Sequence, residues 1–297
     1  MVSLFSVSSI NKKILYAGSL SLLVVASVII LFAAFSTYNT SVSGAQEELR
    51  IIADAQAEAI TGVLLEPMHS TEALAEVLLG PYSAGKPIAR EEAGLIIGGI
   101  LKNHPLYNGV YTMWEENAYD RADSRYAGVD GFSSTGRMNM YWYREDGTEQ
   151  RMIYEPDSVD TETDYTQDYY TIPAQTRQKF LTDPYVEPSQ SVPVLMASTI
   201  VPILYQGTFL GITGVDVTLA DIDRIADETS LYNGEGIVLI VSNDGTIAGV
   251  TGDVGKVGEP LASLAPAFSV PAEPIEQVIT EKGDTPCTLG PYVGEMS

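Results

Sequence analysis

Residues 194–217 read VLMASTIVPILYQGTFLGITGVDV, and this stretch decides the fold. Val194–Leu204 and Thr208–Val217 are two runs of β-branched and aliphatic residues, separated only by Tyr205-Gln206-Gly207. So short a spacer, ending in glycine, reads as a tight turn, so the two runs pair as antiparallel strands. Asp216 follows the apolar run Leu210–Val215, an expensive place for an unpaired carboxylate. Two explanations stand open: it caps the helix that starts just beyond it, or it neutralises a positive charge brought in by a ligand.

Working outward, strands precede and follow this hairpin. Val110–Trp114 alternates, a polar loop covers 117–135, and Met138–Arg144 is aromatic and strand-like. Asp146-Gly147 marks a second hairpin turn toward a short strand at Met152–Tyr154. Tyr169–Leu181 reads as a short helix and Leu219–Thr229 as another. Gly236–Val241 and Thr246–Val250 form a further hairpin turned at Asn243-Asp244-Gly245. Pro266, Pro271 and Pro274 follow, then a weak helix and Cys287–Val293.

Upstream, Arg90–Leu101 is helical. Ala45–Leu79 is one long helix with an apolar stripe through Leu49, Ile52, Val63, Leu74 and Leu78. Pro67 should kink it and Gly80-Pro81 should end it. Before it, Ile14–Phe35 is an unbroken apolar stretch of about 22 residues, roughly 33 Å as helix, enough to cross a membrane. Lys12 and Lys13 mark the cytoplasmic end, which sends everything from about Thr37 outside. A signal peptide cleaved near Ser43-Gly44-Ala45 is the competing reading, but the apolar core exceeds the usual h-region of about 7–15 residues.

The order predicts an α+β chain: a transmembrane helix continuing into a long helix, then two antiparallel-sheet modules, the second incomplete. The divisions are 1–13 (cytoplasmic), 14–35 (membrane), 36–80 (long helix), 81–229 (membrane-distal module) and 230–297 (membrane-proximal, partial). No second span or cytoplasmic output domain occurs in the 297 residues, so the sequence reads either as a truncated product or as a piece of a longer receptor.

Sixteen basic against 39 acidic residues give a formal charge of −23. Such a surface repels nucleic acid and anionic lipid headgroups, and favours cationic or zwitterionic solutes. One cysteine, Cys287, and two histidines, His69 and His104, argue against a disulfide or a transition-metal site, and no cofactor is expected. The acids Asp157, Asp160, Glu162 and Asp164 lack the glycines and spacing of a calcium loop and read as a solvated segment. Phosphate-loop, nucleophile-elbow and zincin motifs are absent, so an enzyme is not expected.

Five segments carry a resemblance: 114–120 (WEENAYD) with Asp123; 136–142 (GRMNMYW); Asp168-Tyr169-Tyr170 with Pro173; 183–187 (DPYVE); and 209–217 (FLGITGVDV). In this order, behind an anchor, they resemble the extracytoplasmic double Cache (dCache) sensor domains of methyl-accepting chemotaxis receptors and sensor kinases, from the anchor to roughly Leu264. The resemblance implies two PAS-like modules, with the ligand in the membrane-distal one. It also implies roles. Tyr169 and Tyr170 look like the aromatic pair of amino-acid-binding members, Tyr185 and Glu187 like their Tyr-x-Asp, and Asp216 like their terminal aspartate. Gln167 stands where those members carry arginine. The ammonium half of the pattern is therefore retained, and Arg137 becomes the candidate for a ligand carboxylate.

The residues add their own alternatives. Neighbours on a helix point about 100° apart, so one of Tyr169 and Tyr170 should face the ligand. Trp142 and Tyr141 suit either core or pocket wall, Trp114 core or pocket floor, and Tyr185 pocket or core. Glu187 reads as ligand contact or solvated charge. Arg137 could fork onto a carboxylate or pair with a nearby acid, and Asp168 reads as ligand contact or as the cap of its helix. The expected function is the sensory region of a transmembrane chemoreceptor for a small amino acid or amine, anchored in lipid through 14–35 and acting as a homodimer. The rivals are a histidine kinase or cyclase receptor reading a carboxylate through Arg137, and a tethered hydrolase or adhesion module.

Overall fold

In a computed structural model of the chain, residues 10–152, 164–187, 193–229, 237–252 and 256–264 are described. The chain divides into two compact units, residues 1–55 with 290–297 and residues 56–289. In the first, residues 10–55 are entirely helical, the opening part of α1 (Ile10–Ser83). Leu23, Ile30, Leu31 and Phe32 are exposed there, and the segment is apolar and long enough to cross a membrane.

The second unit holds the rest of α1, α2 (Arg90–Asn103), β1 (Tyr107–Trp114), α3 (Asp123–Tyr126), β2 (Asn139–Glu145) and β3 (Thr148–Met152). It continues with α4 (Asp168–Thr176), β4 (Phe180–Leu181), β5 (Tyr185–Glu187), β6 (Val194–Tyr205), β7 (Thr208–Thr218) and α5 (Leu219–Glu228). A small hairpin of β8 (Leu239–Val241) and β9 (Ile247–Val250) follows. The fold is α+β. One antiparallel sheet runs β3-β2-β1-β7-β6-β4, with β5 also paired to β6.

The hairpin turns form where glycine allows positive φ. Gln206 and Gly207 have φ of 50° and 80°, and Asp146 and Gly147 have 49° and 74°. Two consecutive positive φ values match the right-handed twist of the strands they join. β1 then inserts between β2 and β7, pairing Tyr111 with Gly214 and Val110 with Val215, residues roughly a hundred apart in sequence.

The sheet has two unlike faces. On one, Val110, Trp114, Met140, Ala197, Val201, Val215 and Val217 pack under α2 and α1, against Ile97, Leu101, Leu74 and Leu78. Gly98 is needed there, because a Cβ would press on the Trp142 ring at 3.1 Å. On the other face, Tyr111, Met113, Tyr141, Ile200 and Ile212 are covered by Tyr170 and, partly buried, Tyr165 and Tyr169.

Several boundaries differ from expectation, and the short strand expected from Met152 starts earlier, at Thr148. α1 passes through Gly80-Pro81 and ends at Ser83. Tyr82 packs on Trp114 at 5.8 Å and edge-on to Tyr205 at 5.4 Å, so tertiary contacts hold a turn that local propensity would end. The helix expected over 169–181 stops at Thr176, where Arg177 turns left-handed (φ 61°), and Phe180–Leu181 joins the sheet edge as β4. Tyr154, Asp157, Asp160, Glu162, Gly236 and the segment from Pro266 to Val293 lie outside the described residues.

Candidate functional site

Asp216 sits near the end of β7 on the aromatic face and is 2% exposed. It is not a helix cap: α5 begins at Leu219 and its N-cap is Thr218. Side-chain hydroxyls hold the carboxylate. Ser198 Oγ donates to Oδ1 at 2.5 Å, and the Tyr141 side chain beside it also favours the charged form. Ser198 in turn accepts from the Tyr185 hydroxyl at 2.8 Å. The register makes this possible, since Ser198 lies opposite Asp216 on β6 and Tyr185 opposite Met196. Gly109 lies opposite Asp216 on β1. A Cβ there would overlap Asp216 Oδ2 and the Tyr141 ring, so only glycine lets these groups meet over the strand. Gly214 does the same for the Tyr111 ring.

These groups line a cleft of about 260 Å³, its open mouth included, with Tyr111, Met113, Tyr141, Tyr169, Tyr185, Glu187 and Asp216 as walls. So few walls enclose room for a small solute and not for a folded peptide. Tyr169 packs beside Tyr185 at 6.3 Å and tilted to Tyr111 at 6.3 Å. Both charged walls, Asp216 and Glu187, are acidic. Among the described residues no lysine or arginine pairs with Asp216. Burial pushes its carboxyl up to about 7, Ser198 and Tyr141 oppose that, and the neighbouring Glu187 charge adds to it. Burial, with Asp216 close by, also holds the Tyr185 hydroxyl well above its ordinary range. The arrangement is a negative, tyrosine-walled slot suited to a cation.

The other candidates lie elsewhere. Tyr170 points away from the cleft and donates to Glu115 Oε1 at 2.5 Å. Arg137 bonds Glu115 Oε2 at 2.9 Å and the Trp114 carbonyl at 2.7 Å, and stacks over Tyr165 at 3.7 Å. Its guanidinium braces the α4 side of the aromatic layer and is not a cleft wall. Trp114 is fully buried on the opposite face, donating to Thr112 at 2.9 Å. Trp142 also lies on that face, beneath Gly98 of α2, because β2 alternates and Tyr141 takes the ligand side. Asp168 is the first residue of α4, with Gln167 at the N-cap, so it favours the helix dipole without capping.

Tyr111, Met113, Ser198 and Gly109 were not singled out from the sequence. Every residue of β1 is buried, so the alternation in its sequence does not mark which face lines a cleft. Ser198 is hidden in an apolar strand.

A further polar cluster ties the site's strands to α1. The Thr71 hydroxyl lies 3.0 Å from that of Thr199 and bonds the Pro67 carbonyl at 2.8 Å, and Thr213 donates to the Thr71 carbonyl at 3.1 Å. All three threonines are fully buried. Thr199 neighbours Ser198 in β6, and Thr213 precedes Asp216 by three residues in β7, both on the face opposite the cleft.

Comparison with known proteins shows what the arrangement is similar to. Residues 96–224 match the family described as methyl-accepting chemotaxis protein-like, first PDC sensor domain. The methyl-accepting chemotaxis protein TlpQ of Pseudomonas aeruginosa is 28% identical over 187 residues, covering 60% of this chain and 26% of TlpQ. The chain thus spans about a quarter of that relative's length. The extracellular domain of mmHK1S-Z2, described as a histidine kinase, superposes with a TM-score of 0.65 at 28% identity, over 80% of this chain and 82% of that one. The ligand-binding domain of the Pseudomonas aeruginosa amino acid chemoreceptor PctB, solved with L-Arg, shares the fold alone, at TM-score 0.50 and 18% identity over 76% and 78% of the two chains. Residues 96–224 are thus similar to the first PDC sensor domain of methyl-accepting-chemotaxis-like proteins, and the fold is that of extracellular sensor domains of this kind.

Proposed function

We propose that this chain is the extracytoplasmic sensing region of a membrane-anchored chemoreceptor and that its cleft binds a small amine or amino acid through the ammonium group. The observation that carries this reading is the buried Asp216 carboxylate, walled by tyrosines, beside Glu187 and paired with no lysine or arginine among the described residues. An ammonium ion supplies the missing charge, Tyr169 and Tyr185 supply π faces, and Asp216 accepts its hydrogen bonds. Arg137, engaged with Glu115, leaves no equivalent reason to choose a carboxylate as the main recognition element.

In this reading residues 14–35 span the membrane with Lys12 and Lys13 inside, the long helix runs over 36–80, the membrane-distal module over 81–229 and the partial membrane-proximal module over 230–297. A ligand that engages Asp216 and Ser198 shifts β6 and β7, and the Thr71–Thr199–Thr213 contact passes that shift to α1. A homodimer about α1 would carry it to the membrane. The size of the response is set by the ligand's differential affinity for the two arrangements. A histidine-kinase output is the second reading, favoured by the similarity to mmHK1S-Z2.

The test is ligand-induced thermal shift of the full chain in detergent, with a panel of amino acids, amines and carboxylates. Amines or amino acids raise the melting temperature of the wild type and not of Asp216→Asn. An undiminished shift in that variant removes Asp216 from the site, and a response to carboxylates alone overturns the amine reading.

A further inference from the structure

A hydroxyl carries a single hydrogen, so a run of hydroxyls that ends on a carboxylate has a direction. Tyr185, Ser198 and Asp216 form such a run. Ser198 Oγ lies 2.5 Å from Asp216 Oδ1, and the Tyr185 hydroxyl lies 2.8 Å from Ser198 Oγ. An ionised carboxylate only accepts, so the Ser198 hydrogen goes to Asp216. Ser198 then has none left to give, and Tyr185 donates to it. Both hydroxyl hydrogens are engaged toward the carboxylate.

The backbone fixes Ser198 in this place. The residue is fully buried in β6. Its N–H donates to Thr182 Oγ1 at 2.9 Å, and the Thr182 N–H donates to the Ser198 carbonyl at 3.0 Å. Pairing of β5 with β6 sets Tyr185 opposite Met196, two residues from Ser198 and on the same face.

Tyr185, Asp216 and Glu187 are walls of the cleft, and the two carboxylates lie close enough to act on the Tyr185 hydroxyl. With the hydrogens directed as above, each of the three can accept a hydrogen bond from a ligand and none can donate one. Tyrosine rings alone would hold any cation, a fully methylated ammonium included. The direction of the hydroxyls separates the two kinds: a primary ammonium brings three N–H donors and a trimethylammonium brings none.

We propose that Ser198 sets the specificity of this cleft by making the Tyr185 hydroxyl an acceptor, and that the ligand is an ammonium that keeps its N–H groups, not a quaternary one. The proposal rests on the amine reading above and adds the number of N–H donors as the selected feature. Ser198 works through Tyr185 and Asp216 and is a positioning residue.

The experiment is calorimetric titration of the full chain in detergent at about pH 8.5, above the value of about 7 near which Asp216 titrates. The probes are butylamine and alanine, each carrying none to three N-methyl groups, so that the charge on nitrogen is kept. In the better-bound series the primary compound should bind about a hundredfold tighter than the trimethyl one. In Ser198→Ala and in Tyr185→Phe that preference narrows to about tenfold, the loss of one charge-assisted hydrogen bond, through weaker binding of the primary compound alone. Tyr185→Phe keeps the ring and carries the test by itself if Ser198→Ala does not fold. Equal binding of primary and trimethyl compounds by the wild type overturns this proposal alone. So does a preference unchanged in the variants, or one narrowed only because the trimethyl compound binds more tightly. Absence of binding by both series overturns this proposal and the amine reading together.

Discussion

The two faces of the central sheet use the same strands for opposite ends. Under α1 and α2, Trp114, Met140, Val215 and Leu78 are close-packed and aliphatic or indole-rich, and Thr112 satisfies the Trp114 N–H. Under α4, the same strands present Tyr111, Tyr141, Ser198 and Asp216, and leave a cleft. Close packing without voids maximises dispersion and apolar burial, so the first face supplies stability. The second gives up packing to hold polar groups in fixed positions, the arrangement recognition needs and folding does not.

The largest effect should come from breaking the packed face. Trp114→Ala removes a fully buried indole and should cost about 3–5 kcal/mol in denaturant unfolding. Chains that remain folded should keep their ligand preference. A loss below about 1 kcal/mol would mean the two faces are less distinct than described.

Next comes the pH dependence of the ligand face. Native Asp216 titrates near 7, above its unfolded value of about 3.9, so the folded chain holds a proton that the unfolded chain has lost between these limits. Its contribution is fully present below about pH 4 and is lost as pH rises through 7. Asp216→Asn should flatten that slope by a few kcal/mol, measured as unfolding free energy against pH. For cationic ligands the proton competes, so wild-type affinity should rise with pH up to about 7 and then level off. Glu187, which faces Asp216 across the cleft, stays in place in both measurements. An identical slope in wild type and variant would assign the titration to another group.

Gly109→Ala sharpens the comparison at a single atom. The new Cβ overlaps both Asp216 and Tyr141, so a cost of about 1–3 kcal/mol is expected, together with loss of ligand response. Wild-type binding in this variant would show that the two side chains need not meet over β1. The smallest effect should be Thr71→Val, which removes hydroxyl contacts for about 1 kcal/mol. It should leave affinity close to wild type and weaken ligand-induced protection of residues 61–83 from hydrogen exchange. Unchanged protection would disconnect the cleft from α1.

Particular residues explain what could be read in advance. The 194–217 hairpin was legible because a Gln-Gly turn and two long apolar runs have no competing interpretation. Tyr169 and Tyr185 could be named, and Asp216 stood out because a carboxylate after six apolar residues needs a reason. Trp142 was ambiguous, since in a strand buried on both faces one residue's shift in register reverses every side chain. Arg137 stood between a ligand carboxylate and a nearby acid for a related reason: its partner Glu115 lies 22 residues away, across a loop whose path the sequence does not encode locally.

The amino-acid sequence by itself determined the apolar span at 14–35, the long helix, the strand pairs joined by short turns and the surplus of acid, because each rests on local periodicity, turn chemistry or charge count. Tertiary structure alone decided that β1 slots between β2 and β7, that Gly109 admits Asp216 and Tyr141 to one place, and that Arg137 meets Glu115. Those outcomes come from pairing between residues far apart in the chain, where long-range register, and not local preference, sets which side chains share a face.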